Sequence, residues 1–384
     1  MSAELLTQDE IDATVRPIEQ ARCLPGRIYH DDQIYAAEME RIFSREWVAV
    51  FPAAKLPRRG DYTTLELAGR PLLFVRDNAG AIRCYSNVCR HRGMQVALGE
   101  GNQRAFQCGY HHWTYNLSGE LTNAPEMPEM LQCGIALPEI HTSVWQGVVF
   151  VNFRDDAPDL HQQLSKLGEL LEPWNADTLE LLYERPYACD WNWKVMFENG
   201  IETYHILGTH RASLEDATPT HISYGAPGDN RNYAEVHLLF DPNAGELFPV
   251  DAVVPPLPDL PPWASEKFVY FAIYPNLILS QTPDGLQTYI TIPHSSEEST
   301  FTWAYITNPD AKESPNYEKF KRAQEDFADL VQGEDEVCCR PVQASMKSGD
   351  YLPGPYNQRE LSVWAFHRWY VHRIADGTEA TATW

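Results

Sequence analysis

Two short clusters of cysteine and histidine constrain this 384-residue chain more than any other feature of its sequence. Cys89 and His91 form a C-x-H pair, Cys108 and His111 form a C-x-x-H pair, and sixteen residues separate His91 from Cys108. Each pair supplies one thiolate and one imidazole, so two loops would bring four ligands to one point. Such a set suits either tetrahedral zinc or a cluster of two irons and two sulfides.

The order of the ligands favours the iron–sulfur cluster. A zinc finger usually supplies a pair of cysteines and then a pair of histidines, whereas each loop here carries one of each. Arg92, Gly93 and Gly109 lie in the same loops, so backbone N–H groups can approach the cluster sulfurs and stabilise the reduced state.

Short alternating segments surround the two pairs and predict a small antiparallel β domain from about residue 50 to 155. The segments are DYTTLELAG, RPLLFVRD, AIRCYSN, AFQCGY and VVFVNF, with turn sequences DNAG and LSGE between them. This pattern places the cysteine and histidine pairs on loops. Residues 7–48 are predicted to be helical, ending in DDQIYAAEMERIFSREW.

Helices and strands mix in the remainder of the chain. Helices are predicted over HQQLSKLGELLEPW, over WKVMFENGIETYHI, and at about 314–332 and 358–374. Four strands are predicted over KFVYFAIY, NLILSQ, LQTYITIPH and STFTWAYITN. The proline-rich span 241–263 is predicted to be a loop over a site. We therefore expect three parts: a helical segment at 1–48 that packs with the catalytic domain, a cluster domain at 49–155, and a catalytic domain at 156–384.

A second motif, ENGIETYHILGTH, carries His205 and His210, with Glu202 three residues before the first histidine. Residues five apart on an ideal helix lie roughly 140° from each other, so both histidines face one metal only if the helix ends or bulges near Gly208. Two imidazoles and one carboxylate form the facial triad that suits iron(II). The acidic segment QGEDEVCCRPVQASMKSG, predicted to be a turn, is the best source of the carboxylate, with Asp335 as the main candidate.

Charge and hydropathy exclude several classes of function. The formal net charge of −24 argues against a nucleic-acid partner, which would need a basic surface. The longest apolar runs are about half the length of a membrane span, and the acidic N-terminus is unlike a signal peptide. We therefore expect a cytoplasmic protein that does not enter the membrane and keeps its eight cysteines as thiols or metal ligands.

The segments CRHRG and CGYHHW resemble the two cluster-binding boxes of Rieske iron–sulfur proteins, with Gly109 where proline is usual. The E-x-x-H-x-x-x-x-H pattern with a distant aspartate resembles Rieske non-heme iron oxygenases. The resemblance implies a [2Fe–2S] cluster and a mononuclear Fe(II). The implied cluster ligands are Cys89, His91, Cys108 and His111, and the implied iron ligands are His205, His210 and Asp335. Asp335 precedes Val342-Gln343 at the interval typical of the family, and Glu334 and Glu336 are its rivals.

The resemblance also implies an α+β fold, in which an N-terminal Rieske antiparallel β domain is followed by a helix-grip catalytic domain with an antiparallel sheet. It implies a homotrimer in which electrons cross a subunit boundary. The electrons would come from an NAD(P)H-dependent reductase with flavin and iron–sulfur centres, directly or through a ferredoxin. Dioxygen and a small organic substrate complete the reaction.

Glu202 stands where most of the family has an aspartate that joins an iron-ligating histidine to a cluster-ligating histidine of the neighbouring subunit. Glutamate at this position resembles carnitine, choline and glycine betaine oxygenases, whose ammonium substrates are held by aromatic faces. The aromatic candidates are Trp263, Tyr270, Tyr289, Trp303 and Trp364. We therefore expect monooxygenation or demethylation of a quaternary ammonium compound.

Two other functions fit parts of the pattern. An aromatic-ring-hydroxylating oxygenase would use the same metal ligands, and a pure electron carrier would need only the first motif. Arg90, Arg92 and Arg104 are either a docking patch for the reductase or a solvated face. Cys338 and Cys339 are interpreted as core residues.

Overall fold

The computed structural model describes residues 5–244 and 247–376, and the chain falls into two compact units. The smaller unit comprises Phe43–Leu160, and the larger one comprises Met1–Ile42 together with His161–Trp384. The N-terminal segment thus groups with the C-terminal part of the chain. The ends of the predicted segments 1–48 and 156–384, residues 1–4 and 377–384, lie outside the described residues.

The smaller unit is built from ten strands. They are β1 (Val48–Pro52), β2 (Asp61–Leu67), β3 (Arg70–Arg76), β4 (Ile82–Ser86), β5 (Glu100–Asn102), β6 (Ala105–Gln107), β7 (Thr114–Asn116), β8 (Leu121–Asn123), β9 (Glu139–Trp145) and β10 (Val148–Asn152). One antiparallel sheet has the order β1-β10-β9-β4-β3-β2-β5, and β6, β7 and β8 form a second. The five predicted strand segments each contain one of these strands.

Turn chemistry sets the strand boundaries in this unit. The carboxylate of Asp77 accepts hydrogen bonds from the N–H groups of Ala79 and Ala81, at 2.8 and 2.9 Å. Gly80 then takes a φ of +86°, a backbone conformation that favours glycine. The DNAG sequence therefore closes the β3–β4 hairpin, as the pattern predicted.

Within the described residues, the larger unit contains seven strands and seven α-helices. The strands are β11 (Glu180–Cys189), β12 (Tyr224–Pro227), β13 (Tyr233–Leu239), β14 (Lys267–Ile273), β15 (Leu277–Thr282), β16 (Gly285–Pro293) and β17 (Ser299–Thr307). They form one antiparallel sheet in the order β11-β17-β16-β15-β14-β13-β12. The helices are α1 (Gln8–Val15), α2 (Asp32–Glu38), α3 (Leu160–Gln163), α4 (Ser165–Leu171), α5 (Trp193–Gly200), α6 (Tyr317–Met346) and α7 (Leu361–Asp376).

The helices pack on this sheet in a way that confirms the predicted helix-grip architecture. Helix α5 contacts β16 and β17, α6 packs against α5, and α7 packs against β12 and β13. The four predicted strands correspond to β14–β17. None of the described helices is both long and apolar enough to cross a membrane.

The predicted helix over residues 193–206 is shorter in the structure, because α5 ends at Gly200. A Cβ atom at residue 200 would lie 2.7 Å from Ile278 Cδ1, so the helix approaches β15 closely there. Two residues later the Glu202 carboxylate accepts hydrogen bonds from the N–H groups of Tyr204 and His205. These bonds start a separate 3₁₀ turn at Tyr204–Leu207 and replace the helical ladder.

The predicted turn around residue 335 is also wrong, because α6 continues without interruption to Met346. Its buried stripe recurs every fourth residue, at Val331, Asp335, Cys339 and Gln343. Gly333 and Pro341 both lie on the exposed face of the helix. The packing of the buried stripe therefore outweighs the low helix propensity of these two residues.

Candidate metal centres

The first cysteine and histidine pair lies on a loop that follows β4 and is closed by its own backbone. Cys89 N–H donates to Met94 O at 2.8 Å, and Gly93 N–H donates to Cys89 O at 3.0 Å. Gly93 has a φ of +80°, which requires a residue without a Cβ penalty. The Asn87 side chain fixes the base of the loop by accepting the N–H groups of Val96 and Ala97.

The second pair lies on a similar loop between β6 and β7. Cys108 N–H donates to the carbonyl of Trp113 at 2.8 Å, and His112 N–H donates to the carbonyl of Cys108 at 3.0 Å. His112 is exposed and has a φ of +59°, a left-handed backbone conformation within the turn.

The two loops bring the four predicted cluster ligands together. The rings of His91 and His111 have centroids 4.4 Å apart, and the side chains of Cys89 and Cys108 are buried. The Tyr115 hydroxyl lies 3.4 Å from Cys89 Sγ and accepts the N–H of Arg90 at 2.9 Å. This hydroxyl is placed to donate to a sulfur ligand, a contact that tunes the potential of iron–sulfur clusters.

A ring nitrogen of His91 indicates that these residues fit a cluster. His91 Nδ1 is buried and has no hydrogen-bond partner among the described residues. The ring is held in place by stacking on Trp113, with centroids 4.8 Å apart and planes 9° apart. A buried imidazole nitrogen without a partner is costly unless it binds a metal. Cys89, His91, Cys108 and His111 would hold the [2Fe–2S] cluster.

The second predicted centre is assembled in the larger unit from two separate elements. His205 lies on the 3₁₀ turn after α5, and His210 follows one turn later, with its N–H bonded to Ile206 O at 3.1 Å. Asp335 comes from α6. His210 Nε2 and His205 Nε2 lie 3.0 and 3.7 Å from Asp335 Oδ1. One ligand atom from each of the three residues lies within 4.8 Å of the others, close enough to hold one ion.

The outer nitrogens of both histidines are held by carboxylates. His205 Nδ1 lies 2.6 Å from Glu202 Oε1, and His210 Nδ1 lies 2.7 Å from Glu334 Oε2. An ionised carboxylate only accepts hydrogen bonds, so each Nδ1 carries the proton and each Nε2 is left free for a metal. Two Nε2 atoms and one carboxylate are the donor set of an iron(II) facial triad.

Glu334 was an alternative to Asp335 as the third iron ligand in the sequence analysis. Its carboxylate makes different contacts from that of Asp335. Its carboxylate orients His210 and also accepts the Ser213 hydroxyl at 2.6 Å. Glu336 pairs with Arg340 on the surface of α6. Cys339 is buried, and Cys338 Sγ lies 3.1 Å from Thr209 Oγ1.

Burial and charge act in opposite directions on His210. Burial lowers the pKa of this imidazole, but the hydrogen bonds and negative charges of Asp335 and Glu334 outweigh burial and leave the pKa raised. The site therefore attracts a positive charge. A bound cation would satisfy the same carboxylate while leaving the imidazole neutral.

Asn199 is a part of this site that sequence reasoning missed. Its side-chain amide donates to Asp335 Oδ1 at 2.7 Å, across 136 positions of sequence. The bond fixes the orientation of the carboxylate. The only sequence signal was its place eleven residues before His210 in the same motif segment.

A mostly apolar cavity of about 60 Å³ opens beside the three residues. Four aromatic side chains contribute to its wall: Tyr270, Tyr289, Phe301 and Trp303. Tyr289 on β16 faces Trp303 on β17 in register, with ring centroids 4.8 Å apart. The other two aromatic candidates lie elsewhere: Trp263 packs on Trp174, and the Trp364 indole N–H donates to Arg16 O.

A second, more polar cavity of about 260 Å³ lies on the other side of Glu202 and Asn199. Glu198 lines it and accepts the Tyr29 hydroxyl at 2.9 Å. His367 Nε2 lies 2.9 Å from Glu198 Oε1, and the Tyr356 hydroxyl lies 2.6 Å from His367 Nδ1. Glu202 therefore separates the cavity beside the metal ligands from a cavity lined with ionisable groups.

Comparison with known families agrees with both centres. Residues 46–141 match the Rieske [2Fe-2S] domain, and residues 176–376 match the catalytic domain of the ring hydroxylating alpha subunit family. A glycine betaine monooxygenase oxygenase subunit from Chromohalobacter salexigens is 27% identical, covering 97% of this chain and 91% of its own. A choline monooxygenase from Arabidopsis thaliana is 26% identical, covering 93% of this chain and 84% of its own.

The fold also matches solved structures. A quaternary ammonium Rieske monooxygenase superposes with a TM-score of 0.80 at 20% identity, covering 97% of this chain and 99% of that one. Naphthalene 1,2-dioxygenase from a Rhodococcus species superposes with a TM-score of 0.76 at 21% identity, covering 92% and 94%. Both comparisons show that the fold is shared over nearly the whole chain.

Proposed function

Because the chain belongs to the family of ring-hydroxylating oxygenase alpha subunits, we propose that it oxidises a quaternary ammonium compound by monooxygenation or demethylation. It is a terminal Rieske oxygenase, in which electrons reach an oxygen-activating site from a separate reductase. The substrate class is the new element of the proposal. Relatives named for glycine betaine and choline support it.

The observation that carries the substrate proposal is the cavity beside His205, His210 and Asp335. Aromatic rings form part of its wall, and none of the described residues that line it is a lysine or arginine. An alkylated ammonium group is attracted by ring faces and by nearby negative charge, and a cationic side chain would repel it. The same wall offers apolar contact to the methyl groups of such a cation.

The volume of the cavity also favours a compact substrate. A space of about 60 Å³ is room for on the order of four water molecules. An aromatic-ring hydroxylase is the second candidate, supported by the apolar wall and by a chlorobenzene dioxygenase alpha subunit that is 28% identical over 73% of this chain.

The residues around the second centre have distinct roles in this proposal. The bound iron would supply oxygen activation, and the cluster would supply single electrons. Asn199 and Glu334 hold Asp335 and His210 in orientation. Glu202 holds the His205 ring in place through Nδ1 of that ring. Its carboxylate either keeps the proton on Nδ1 or accepts the proton from it. We propose that the same carboxylate accepts a hydrogen bond from a cluster histidine of a neighbouring subunit.

That bridge requires a neighbouring copy of the chain, and we propose that the assembly is a homotrimer. Helix α6 presents exposed apolar side chains close to the site, with Leu330 52% and Val337 72% exposed in the single chain. These residues lie seven positions apart and share one face of the helix. An interface between copies would cover them. Light scattering on the purified protein should report three chains, and a stable monomer with full activity would contradict the bridge.

The partner reductase is proposed to take electrons from NAD(P)H, directly or through a ferredoxin, in the cytoplasm. Arg90, Arg92 and Arg104 are exposed around the cluster loops. They form a basic patch suited to an acidic partner. Reduction of the cluster should slow as ionic strength rises, and a rate that does not depend on salt would contradict a docking role for the patch.

Substrate-dependent oxygen consumption tests the substrate class. Reduced protein would be offered choline, its neutral isostere 3,3-dimethylbutan-1-ol, and toluene. The proposal predicts oxygen uptake with the cation and little with the other two compounds. Uptake with toluene alone would favour the aromatic-ring hydroxylase.

A pair of variants tests the aromatic wall. Trp303→Leu removes a ring from the cavity, and Trp263→Leu removes one that packs on Trp174. We expect choline binding to weaken about tenfold or more in the first variant only. Equal weakening in both variants would show that the cavity rings do not bind the cation.

A further inference from the structure

The larger unit contains a third cavity that the proposed reaction does not use. It measures about 510 Å³ and lies between the β15–β16 turn, the start of α6 and the proline-rich span predicted to cover a site. We call it the outer cavity. It is lined mainly by apolar side chains, and five of them are aromatic: Phe240, Phe248, Phe268, Tyr305 and Phe320. Phe240 and Phe268 pack edge to face, with centroids 4.7 Å apart.

The polar chemistry of the outer cavity is acidic. Asp241 and Asp284 line it, and none of its described lining residues is a lysine or arginine. Asp241 accepts the N–H of Asn243 at 2.9 Å. Asp284 differs, because its Oδ2 atom is buried and has no hydrogen-bond partner among the described residues.

A buried carboxylate oxygen without a partner is costly. Burial raises the pKa of Asp284. Hydrogen bonding from the hydroxyls of Tyr305 and Thr282 lowers this pKa, but by less than burial raises it. Those two hydroxyls are bonded to each other, at 2.7 Å. A cation in the cavity would provide the counter-charge that none of the described lining residues supplies.

We propose that the outer cavity is a second binding site for an alkylated ammonium cation, with the Asp284 carboxylate as its counter-charge and the surrounding rings as its walls. An anion would meet two carboxylates there, and a neutral apolar ligand would leave Asp284 Oδ2 unsatisfied. A methylated cation matches both the charge and the apolar surface.

Gln287 connects this site to the cavity beside the metal ligands. Its side chain lines the outer cavity, and its Oε1 atom accepts the Tyr289 hydroxyl at 2.7 Å and the Trp303 indole N–H at 2.9 Å. Tyr289 and Trp303 line the cavity beside the metal ligands. One layer of side chains therefore separates the two spaces. The outer cavity would hold substrate on its way to the cavity beside the metal ligands. This part of the proposal rests on the proposed function.

The variant Asp284→Asn tests the site with little risk to the fold. It removes the charge and keeps the shape of the side chain. Binding of choline and of 3,3-dimethylbutan-1-ol would be measured by calorimetry, without oxygen, on the iron-loaded protein. We expect two classes of choline site in the wild type, of which the variant weakens one at least tenfold. Binding of the neutral alcohol should change less than twofold.

Unchanged choline binding in Asp284→Asn, or equal weakening for both ligands, would overturn the proposal. Phe268→Leu serves as a second variant, which keeps an apolar side chain but removes a ring. It should also weaken choline more than the alcohol, and the reverse order would count against the site. Oxygen uptake by the wild type separates the two proposals: if no ammonium compound supports it, the proposed function fails, whereas the binding comparison still decides the outer site.

Discussion

A buried ion pair in the larger unit allows one prediction about stability to be worked out in detail. Lys194 Nζ lies 2.5 Å from Glu38 Oε1, and both side chains are fully buried. Glu38 also accepts the Trp193 indole N–H at 2.9 Å and the Tyr370 hydroxyl at 2.6 Å. The pair joins α2 to the first turn of α5, the helix whose last turn carries Asn199 beside the iron ligands.

Glu38→Gln removes the negative charge and leaves a buried ammonium group without a counter-ion. Breaking one side of such a pair costs about 3–5 kcal/mol of unfolding free energy. For a unit of this size each kcal/mol lowers the melting temperature by about 2–4 °C, so a decrease of roughly 6–20 °C is expected. Lys194→Met should have a similar effect, because it leaves the carboxylate unpaired.

The double variant Glu38→Gln/Lys194→Met distinguishes the pair from simple loss of packing. If the two charges act as a pair, the double variant should cost about 2 kcal/mol less than the sum of the single variants. The assay is scanning calorimetry at one scan rate and equal iron loading, because unfolding of a metal protein of this size depends on both.

Lys319→Gln is the matched control. Its Asp251 partner forms an ion pair in which both side chains are 64% exposed, so no measurable change in melting temperature is expected. A loss below about 1 kcal/mol in Glu38→Gln would refute the reasoning, since the pair would then behave like a surface pair.

Further predictions concern the second metal centre and the N-terminal segment. Glu202→Gln should keep the iron and the cluster but lose turnover, and full activity would contradict the bridging role. Asp335→Ala should lose one iron per chain while its sulfide content stays unchanged. Glu334→Gln should weaken iron binding about 10–100-fold, as loss of an outer carboxylate on a metal-binding histidine does, and equilibrium dialysis measures it. The Arg27 guanidinium lowers the pKa of Glu10 to about 2, so the stability that Glu10 adds should be present above pH 4.5 and lost as pH falls towards 2; equal acid sensitivity of Glu10→Gln in thermal melts would contradict this.

The sequence predicted the cluster domain well because its information is local. Asp77 and Gly80 set a turn within four residues, and Cys89 and Gly93 close a loop within five. Alternating strands between such turns have few other ways to pair. The local pattern therefore placed the two cysteine and histidine pairs on loops of this domain, as the structure has them.

The surroundings of the second centre were harder to predict because they depend on contacts distant in sequence. Asn199 meets Asp335 across 136 positions, and His210 meets Glu334 across 124. Gly200 at the end of α5 lies close to Ile278 on β15, a contact that no local pattern indicates. Glu334 and Asp335 are neighbours with equal chemistry, and only the phase of α6 gives them different positions.

The central claim is that one polypeptide holds two unlike iron centres, and the ratio of iron to acid-labile sulfide in the purified, reconstituted protein tests it most directly. We expect about three irons and two sulfides per chain, as one [2Fe–2S] cluster and one mononuclear iron require. His205→Ala/His210→Ala should reduce the iron to about two and leave the sulfide unchanged. Two irons and two sulfides in the wild type, or iron without sulfide, would contradict the claim.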